Sequence, residues 1–187
     1  MARQISTALS DLILCIVAFY VSYKWYHANR MKAAVGISIQ ATAAFLGIFR
    51  FAMSNPEGGI IYKSHKFMSW LAAGAGVPLI AMDFCARYES AMLANKIAIF
   101  LLAVVIVAAF LPPKTQEVAT QAASGFSMLV ILILCFIHKN YLGLGAGVTY
   151  VVAGLVFSSE GSILGLPKVD WLHYALIMGN YLFLRSI

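Results

Sequence analysis

The chain has 187 residues, of which 62% are hydrophobic and 11% are charged, and its formal net charge is +6. Soluble domains average about 25% charged residues, so this composition excludes an ordinary soluble enzyme or binding domain. The basic residues are scattered over connections and helix ends and form no continuous run, which argues against a nucleic-acid partner. The composition therefore predicts an integral membrane protein whose chemistry takes place within the bilayer or at its edge.

The apolar segments indicate the fold class. A membrane-crossing helix needs about 20 residues, and segments of about this length follow one another with only short connections. We therefore predict an all-α transmembrane bundle of seven spans, forming a single domain over residues 1–187 with no soluble domain. Six spans would follow if 141–157 were re-entrant. The predicted spans are 9–25, 32–53, 64–85, 95–111, 119–137, 141–157 and 169–186.

The first two predicted spans each place polar and small residues on one helical face, at spacings of three and four. Such faces favour close packing between membrane helices. In span 1 the shared face comprises Thr7, Asp11, Cys15, Ala18 and Ser22, and in span 2 it comprises Gln40, Ala43, Gly47 and Arg50.

The third span carries a stripe of polar and small residues and is interrupted by Pro78. Proline lacks an amide hydrogen, so the carbonyl of Gly74 is left without its helical partner and we expect a kink. The stripe comprises His65, Ser69, Ala72, Gly76 and Asp83.

The fourth and fifth predicted spans are separated by Pro112 and Pro113, which we expect to end the fourth. The fourth is almost entirely aliphatic, a pattern typical of a helix that faces lipid. Only residues 138–140 separate the fifth and sixth spans, and so short a link predicts an antiparallel helical hairpin.

The last span is apolar but carries Asp170, His173 and Asn180 on one face. Ionisable groups at membrane depth are costly unless they meet partners on other helices or line a wet cavity. This span therefore predicts a polar interior.

The position of each polar residue along its predicted span gives its depth in the membrane, and several of these residues share one level. The starts of spans 1, 3 and 7 and the ends of spans 2 and 6 lie on the side of the N-terminus. Asp83 follows His65 by 18 residues, about 27 Å at 1.5 Å per residue, and belongs to the opposite side. The residues expected at one level on the N-terminal side are Asp11, Arg50, His65, Ser69, Glu160, Asp170 and His173.

Two interpretations of this group stay open. His65 and His173, with Asp11 or Asp170, could ligate zinc and activate water for hydrolysis of a lipid amide or ester. Alternatively, Arg50 pairs with Asp11 or Asp170 while the histidines form hydrogen bonds to their neighbours, which requires no cofactor. The candidate residues for a ligand site or pore are Asp11, Gln40, Arg50, His65, Ser69, Asp170, His173 and Asn180.

The histidines at the start of spans 3 and 7, with an acid on another helix, resemble the seven-helix alkaline ceramidase, progestin-receptor and Per1-like hydrolases. That resemblance implies zinc held by histidines and an Asp on one membrane side. The last helix of those hydrolases carries a His-x-x-x-His pair, whereas in this chain Ile177 stands four residues after His173. The segments 7–12 and 170–174 resemble instead a family of small seven-helix membrane proteins, which implies the fold and no particular chemistry.

The sequence favours a non-enzymatic role over the zinc hydrolase. The roles considered are ligand or lipid binding, ion conduction, and an accessory subunit. The expected partners are membrane lipids and either further copies of the chain or a larger membrane complex. Lys and Arg are slightly more numerous on the side of the C-terminus, which predicts an external or lumenal N-terminus and a cytoplasmic C-terminus.

Overall fold

The computed structural model describes residues 4–57, 59–89, 91–157 and 161–186. Nearly all of this is helical, and a π-helical turn at Ala72–Gly76 joins two of the helices into one continuous helix from residue 59 to 88. The helices are α1 (Ile5–His27), α2 (Met31–Ala52), α3 (Gly59–Leu71), α4 (Val77–Tyr88), α5 (Ala91–Ala108), α6 (Pro113–Ile137), α7 (Tyr141–Val156) and α8 (Lys168–Arg185).

The all-α membrane class is confirmed. Within the described residues, four helices are long and apolar enough to cross a membrane, and Ala94–Ala108 and Tyr141–Val156 are apolar but shorter. Four of the predicted spans therefore lie on helices long enough to cross the membrane. The four longer helices are Ile5–His27, Met31–Ala52, Gly59–Tyr88 and Pro113–Ile137.

Each predicted span falls on a helix, but several boundaries differ. The first helix begins at Ile5 rather than residue 9, and the third covers 59–88 rather than 64–85. The helix on the fourth predicted span ends at Ala108, before both prolines, and Pro113 is the first residue of α6. Proline suits that position, where an amide hydrogen would have no helical acceptor.

The interruption expected before Pro78 corresponds to the π-helical turn Ala72–Gly76. The backbone of this turn lies against the backbone of α2. A Cβ on Gly76 would lie only 2.9 Å from the carbonyl oxygen of Gly36 in α2. A larger residue at either glycine would push α2 away from this turn.

Helix packing is uneven along the helix from 59 to 88. Its second half, α4, packs against α2, α5 and α6, whereas α3 packs mainly against α2. One further contact ties α3 to α6, where Trp70 Nε1 donates to Thr120 Oγ1 at 2.8 Å. The helix α8 packs between α1 and α7, and α6 packs against α7 as the hairpin prediction requires. Space therefore remains between α3 and the pair of α7 and α8.

The apolar core occupies the half of the bundle opposite the N-terminus. Its largest fully buried side chains include Trp25, Ile37, Ile80, Phe84 and Phe183. The Phe183 ring centroid lies 6.1 Å from that of Trp25 and 5.6 Å from that of Phe84. We call these five side chains the apolar plug, because they fill the bundle between the two membrane sides.

A short hairpin, absent from the sequence-based expectations, precedes α8. It pairs β1 (Ser162–Ile163) with β2 (Leu166–Pro167) in antiparallel register. Leu164 and Gly165 both have positive φ, 53° and 80°, as a two-residue turn of this hand requires. Trp171 Nε1 donates to the Ile163 carbonyl oxygen at 3.0 Å and so fixes the hairpin to α8.

Candidate functional site

A cavity of about 240 Å³ lies between α3 and the helices α1, α2, α6, α7 and α8. Most of its wall is apolar or formed by small residues, including Leu14, Ala43, Ala72 and Leu176. Its polar lining residues are Asp11, Gln40, His65, Ser69, Ser124, Tyr150 and His173. A mostly apolar pocket with a few converging polar groups is the usual form of a small-molecule site.

One wall of the cavity is a hydrogen-bonded network between α1 and α8. Ser10 Oγ lies 2.8 Å from His173 Nδ1, and His173 Nε2 lies 3.4 Å from Asp11 Oδ1. Thr7 Oγ1 donates to Asp170 Oδ1 at 2.7 Å. All five side chains are at most 6% exposed, and Asp11 is 1% exposed. The first and last helices are therefore joined through buried polar groups.

The donors in this network determine where the His173 hydrogens lie. In the arrangement in which Ser10 donates its hydroxyl hydrogen to the Thr7 carbonyl oxygen, at 3.0 Å, Ser10 Oγ accepts from His173 Nδ1. A neutral His173 then has no hydrogen on Nε2, and that nitrogen and Asp11 Oδ1 would be two acceptors facing each other. In that arrangement, a proton held between His173 Nε2 and Asp11 removes the conflict.

Asp11 fits against α2 because of a glycine. A Cβ on Gly47 would overlap the Asp11 carboxylate, with the Cγ atom only 2.6 Å away. The Oδ2 atoms of Asp11 and Asp170 are both buried and accept no hydrogen bond from any described residue. Each acid therefore keeps an acceptor that the described part of the chain does not satisfy, an arrangement that is costly in a buried site unless a ligand or proton meets it.

His65 faces the cavity from α3 and is held by Arg50. Arg50 Nη1 lies 2.9 Å from His65 Nδ1, and Arg50 Nε donates to the Pro56 carbonyl oxygen at 3.1 Å. Arginine is always a donor, so His65 Nδ1 accepts and His65 Nε2 carries the hydrogen. The guanidinium also lies 4.7 Å from the ring centroids of Phe51 and Tyr62.

The expected pairing of Arg50 with Asp11 or Asp170 was therefore wrong. The nearest partners of Arg50 are on its own connection and on α3, because α3 packs against α2 beside the half-buried guanidinium. The other half of that interpretation agrees with the structure, since both histidines form hydrogen bonds to neighbouring side chains.

A second polar group forms the inner end of the cavity. Tyr150 in α7 donates from its hydroxyl and lies 2.6 Å from Asn180 Oδ1 and 3.0 Å from Gln40 Oε1. Asn180 Nδ2 donates to the same Gln40 oxygen at 2.7 Å. The amide group of Gln40 donates to no other described residue and is available to the cavity.

Asp83 lies on the opposite membrane side, as the helix length requires. It forms an ion pair with Arg30, whose guanidinium is also 5.5 Å from the Trp25 ring centroid and 5.2 Å from that of Phe84. This buried pair covers the outer face of the apolar plug, and neither residue lines the cavity.

The structure brings the predicted candidates into one connected region. Five of them, Asp11, Gln40, His65, Ser69 and His173, line the cavity. The other three are hydrogen-bonded to that region: Arg50 to His65, Asn180 to Gln40, and Asp170 to Thr7. Glu160, expected at the same level, lies outside the described residues.

Comparison with known proteins gives this chain a family. The transmembrane protein 276 of Rattus norvegicus is 30% identical over 186 residues, which cover 97% of this chain and 91% of the relative. The chain belongs to the transmembrane protein 276 family. The proteins of that name from Homo sapiens and Mus musculus are each 29% identical over 183 residues, with the same coverage.

The transmembrane protein 276 name supports the expected family of small membrane proteins. No family model and no solved structure matches the chain. The relatives named here provide no link to the ceramidase-like hydrolases, so the resemblance to that superfamily is without support from them.

The zinc interpretation does not fit the arrangement found in this member of the transmembrane protein 276 family. No group of three His, Cys, Asp or Glu side chains among the described residues is arranged to hold a metal ion. His65 turns one nitrogen to Arg50, and both nitrogens of His173 are engaged by Ser10 and Asp11. The proposed ligands His65, His173 and Asp11 therefore line a cavity without forming a metal site.

Sequence reasoning missed Ser10, Ser124 and Tyr150. Ser10 precedes Asp11 and follows Thr7 by one helical turn, a spacing that could have suggested it. Tyr150 stands in an otherwise apolar helix, where an aromatic residue gives no sign that its hydroxyl is buried. Its role depends on α7 packing against α8, a contact that spacing within one helix does not reveal.

Proposed function

We propose that the chain crosses the membrane seven times and binds a small ligand in the polar cavity, without catalysis. At 1.5 Å per residue, the 18 residues of α5 and of α8 each extend about 27 Å, close to the thickness of the hydrocarbon layer. The helix α8 is less apolar than α5 because it carries Asp170, His173 and Asn180. These three side chains are buried inside the bundle. Such a helix can span when its neighbours cover that face.

The observation that carries the proposal is the convergence of polar groups from five helices on one cavity. Asp11, Gln40, His65, Tyr150 and His173 come from α1, α2, α3, α7 and α8 respectively. Burying so many polar groups in a bilayer is costly, and a ligand that pairs with them would offset that cost.

Binding fits the geometry better than ion conduction. The polar lining ends at Gln40, Tyr150 and Asn180, and the apolar plug follows towards the other membrane side. The plug residues Trp25, Ile37 and Phe183 are fully buried. A conduction path would need polar groups or water through this region, so the cavity is proposed to open from one side only.

The volume limits the ligand. Pockets for drug-sized molecules measure roughly 300–1,000 Å³, and this cavity is about 240 Å³. We therefore propose a ligand smaller than a typical drug, with an apolar part for the wall and a polar group for the α1–α8 network. From the predicted orientation, the opening faces the external or lumenal side.

Membrane lipids are proposed as the partners of the outer surface. An apolar groove of about 350 Å³ lies between α1 and α8 and is lined by Ile13, Val17, Tyr174, Ile177, Met178 and Tyr181. On α5, Ile99, Phe100 and Ile106 are more than 60% exposed. Acyl chains would cover these faces in the bilayer.

The proposal is tested with four-carbon probes that differ only in the polar group: butanol, butyramide, butyrate and butylammonium. A ligand that binds the folded state raises stability by about 2.7 kcal/mol at a concentration 100 times its Kd. We expect at least one probe to raise the thermal midpoint of the purified protein in detergent, followed by tryptophan fluorescence.

Two glycine variants locate the binding. Gly154 lines the cavity and a Cβ there meets open space, so Gly154→Phe should fill the cavity without displacing the backbone. Gly125 in α6 is equally open but lies outside the cavity lining, and Gly125→Phe should leave probe binding unchanged. Absence of stabilisation by all four probes, or stabilisation that persists in Gly154→Phe, would overturn the proposal.

A further inference from the structure

We propose that the ligand carries a protonated amine, which binds at Asp11 and His173 in exchange for the proton they hold. This inference rests on the proposed cavity function and specifies the ligand's chemistry. It begins from the buried contact between Asp11 Oδ1 and His173 Nε2 in the cavity lining.

The charges around Asp11 favour a cation. Asp11 and Asp170 are 1% and 0% exposed, and each has an Oδ2 without a hydrogen-bond partner among the described residues. Arg50 is the nearest cation, but it is half-buried at the cavity edge and is engaged by Pro56 and His65. His65 is neutral because its Nδ1 accepts from Arg50, and His173 and Asp11 together hold a single proton in this proposal. The buried region is therefore short of positive charge.

The hydrogen-bond geometry selects an N–H donor. Once the shared proton leaves, His173 Nε2 and Asp11 Oδ1 are two acceptors 3.4 Å apart. A primary ammonium has three N–H groups and can donate to both acceptors at once. Its alkyl part would lie along the apolar wall formed by residues such as Leu14 and Leu176. A quaternary ammonium carries the same charge but has no N–H to donate.

The exchange conserves charge. The ammonium enters as a cation, the proton between Asp11 and His173 leaves to solvent, and no covalent bond to the ligand forms or breaks. One proton is released for each ammonium bound, so binding weakens as the pH falls because protons compete for the same acceptors. The other charged or titratable groups around the site are His65 in the lining and Asp170 and Arg50 beside it, and none of them is required to change its protonation.

The experiment compares butylammonium with tetramethylammonium and butanol by isothermal titration calorimetry on the full-length protein in detergent. Titration in two buffers with different ionisation enthalpies measures the number of protons released. We expect butylammonium to bind at least about tenfold more tightly than either comparison probe, since hydrogen bonds to charged groups are worth at least that ratio. We also expect release of one proton per ligand.

Two variants distinguish a specific role of the Asp11 carboxylate from a nonspecific effect of negative charge. Asp11→Asn, which can still donate to His173 Nε2, should abolish proton release and the preference for butylammonium. Glu117→Gln removes an equally charged but exposed acid and should change neither. The comparison of probes on the unchanged protein does not depend on either variant folding.

The two proposals fail in different ways. Equal binding of butanol and butylammonium, or binding of butylammonium without proton release, would overturn the amine proposal and leave the ligand-binding cavity standing. Tighter binding of tetramethylammonium would also overturn it, since that cation can donate no hydrogen bond. Absence of binding by every four-carbon probe would overturn the cavity proposal as well.

Discussion

Gly47→Ala tests whether Asp11 is seated against α2. The added Cβ would overlap the Asp11 carboxylate, which is 1% exposed and contacts His173. Overpacking of this kind costs about 1–3 kcal/mol. Replacing a helical glycine by alanine also adds about 1 kcal/mol of helix propensity, which would mask part of that cost.

A matched variant removes the propensity effect. Gly125→Ala gains the same propensity, but its Cβ meets open space. The difference between the two variants therefore measures the overlap alone. We expect Gly47→Ala to be less stable than Gly125→Ala by about 1–3 kcal/mol, or about 2–12 °C in Tm for a chain of this size.

The assay is thermal unfolding of both variants in the same detergent, followed by tryptophan fluorescence. Equal midpoints would refute the placement of the Asp11 carboxylate against α2, and the proton shared with His173 would then lose its geometric basis. A lower midpoint for Gly47→Ala together with weaker butylammonium binding would show that the position of the Asp11 carboxylate against Gly47 matters for ligand binding.

Three further predictions use the same unfolding assay. Tyr150→Phe should lower the free energy of unfolding by about 1–3 kcal/mol because its buried amide partners lose a donor. Tyr141→Phe, at a 72% exposed position, should be neutral. Equal effects of the two variants would contradict a buried hydrogen bond at Tyr150. Thr7→Ala should destabilise by about 1–3 kcal/mol by removing the donor to Asp170, and Thr7→Ser should restore most of that loss; failure of serine to restore it would point to the methyl group instead. Asp83→Asn should cost about 3–5 kcal/mol by leaving a buried guanidinium without its charge partner, yet it should leave probe binding unchanged; a change in binding would contradict the separation of the two membrane sides.

The level of the site could be predicted from sequence because membrane helices constrain depth. Rise per residue and short connections place Asp11, His65, Asp170 and His173 near one membrane side, and they exclude Asp83. The structure has this arrangement, with Asp83 paired to Arg30 on the other side. Depth follows from counting residues and does not require the helices' rotations to be known.

Partner choice could not be predicted in the same way. Arg50 bonds to His65 rather than to an acid because α3 packs on α2, and this depends on helix rotation and on the π-helical turn Ala72–Gly76. The hairpin before α8 was missed because its strands have two residues each and its turn, Leu164-Gly165, lacks the Asn-Gly or Asp-Gly signal of such turns.

We propose that the polar cavity opens to one membrane side and is closed towards the other. This proposal is tested by a membrane-impermeant thiol reagent applied to each side of oriented vesicles. The native cysteines, Cys15, Cys85 and Cys135, are buried, so the unchanged protein serves as the unlabelled control.

Single cysteines at Ser69, in the cavity, and at Ser38, which contacts Ser22 Oγ at 2.6 Å, report on the two sides. We expect Ser69→Cys to be labelled from the side of the N-terminus alone and Ser38→Cys never to be labelled from that side. Labelling of both variants from the side of the N-terminus would show a continuous aqueous path and contradict a cavity closed at one end.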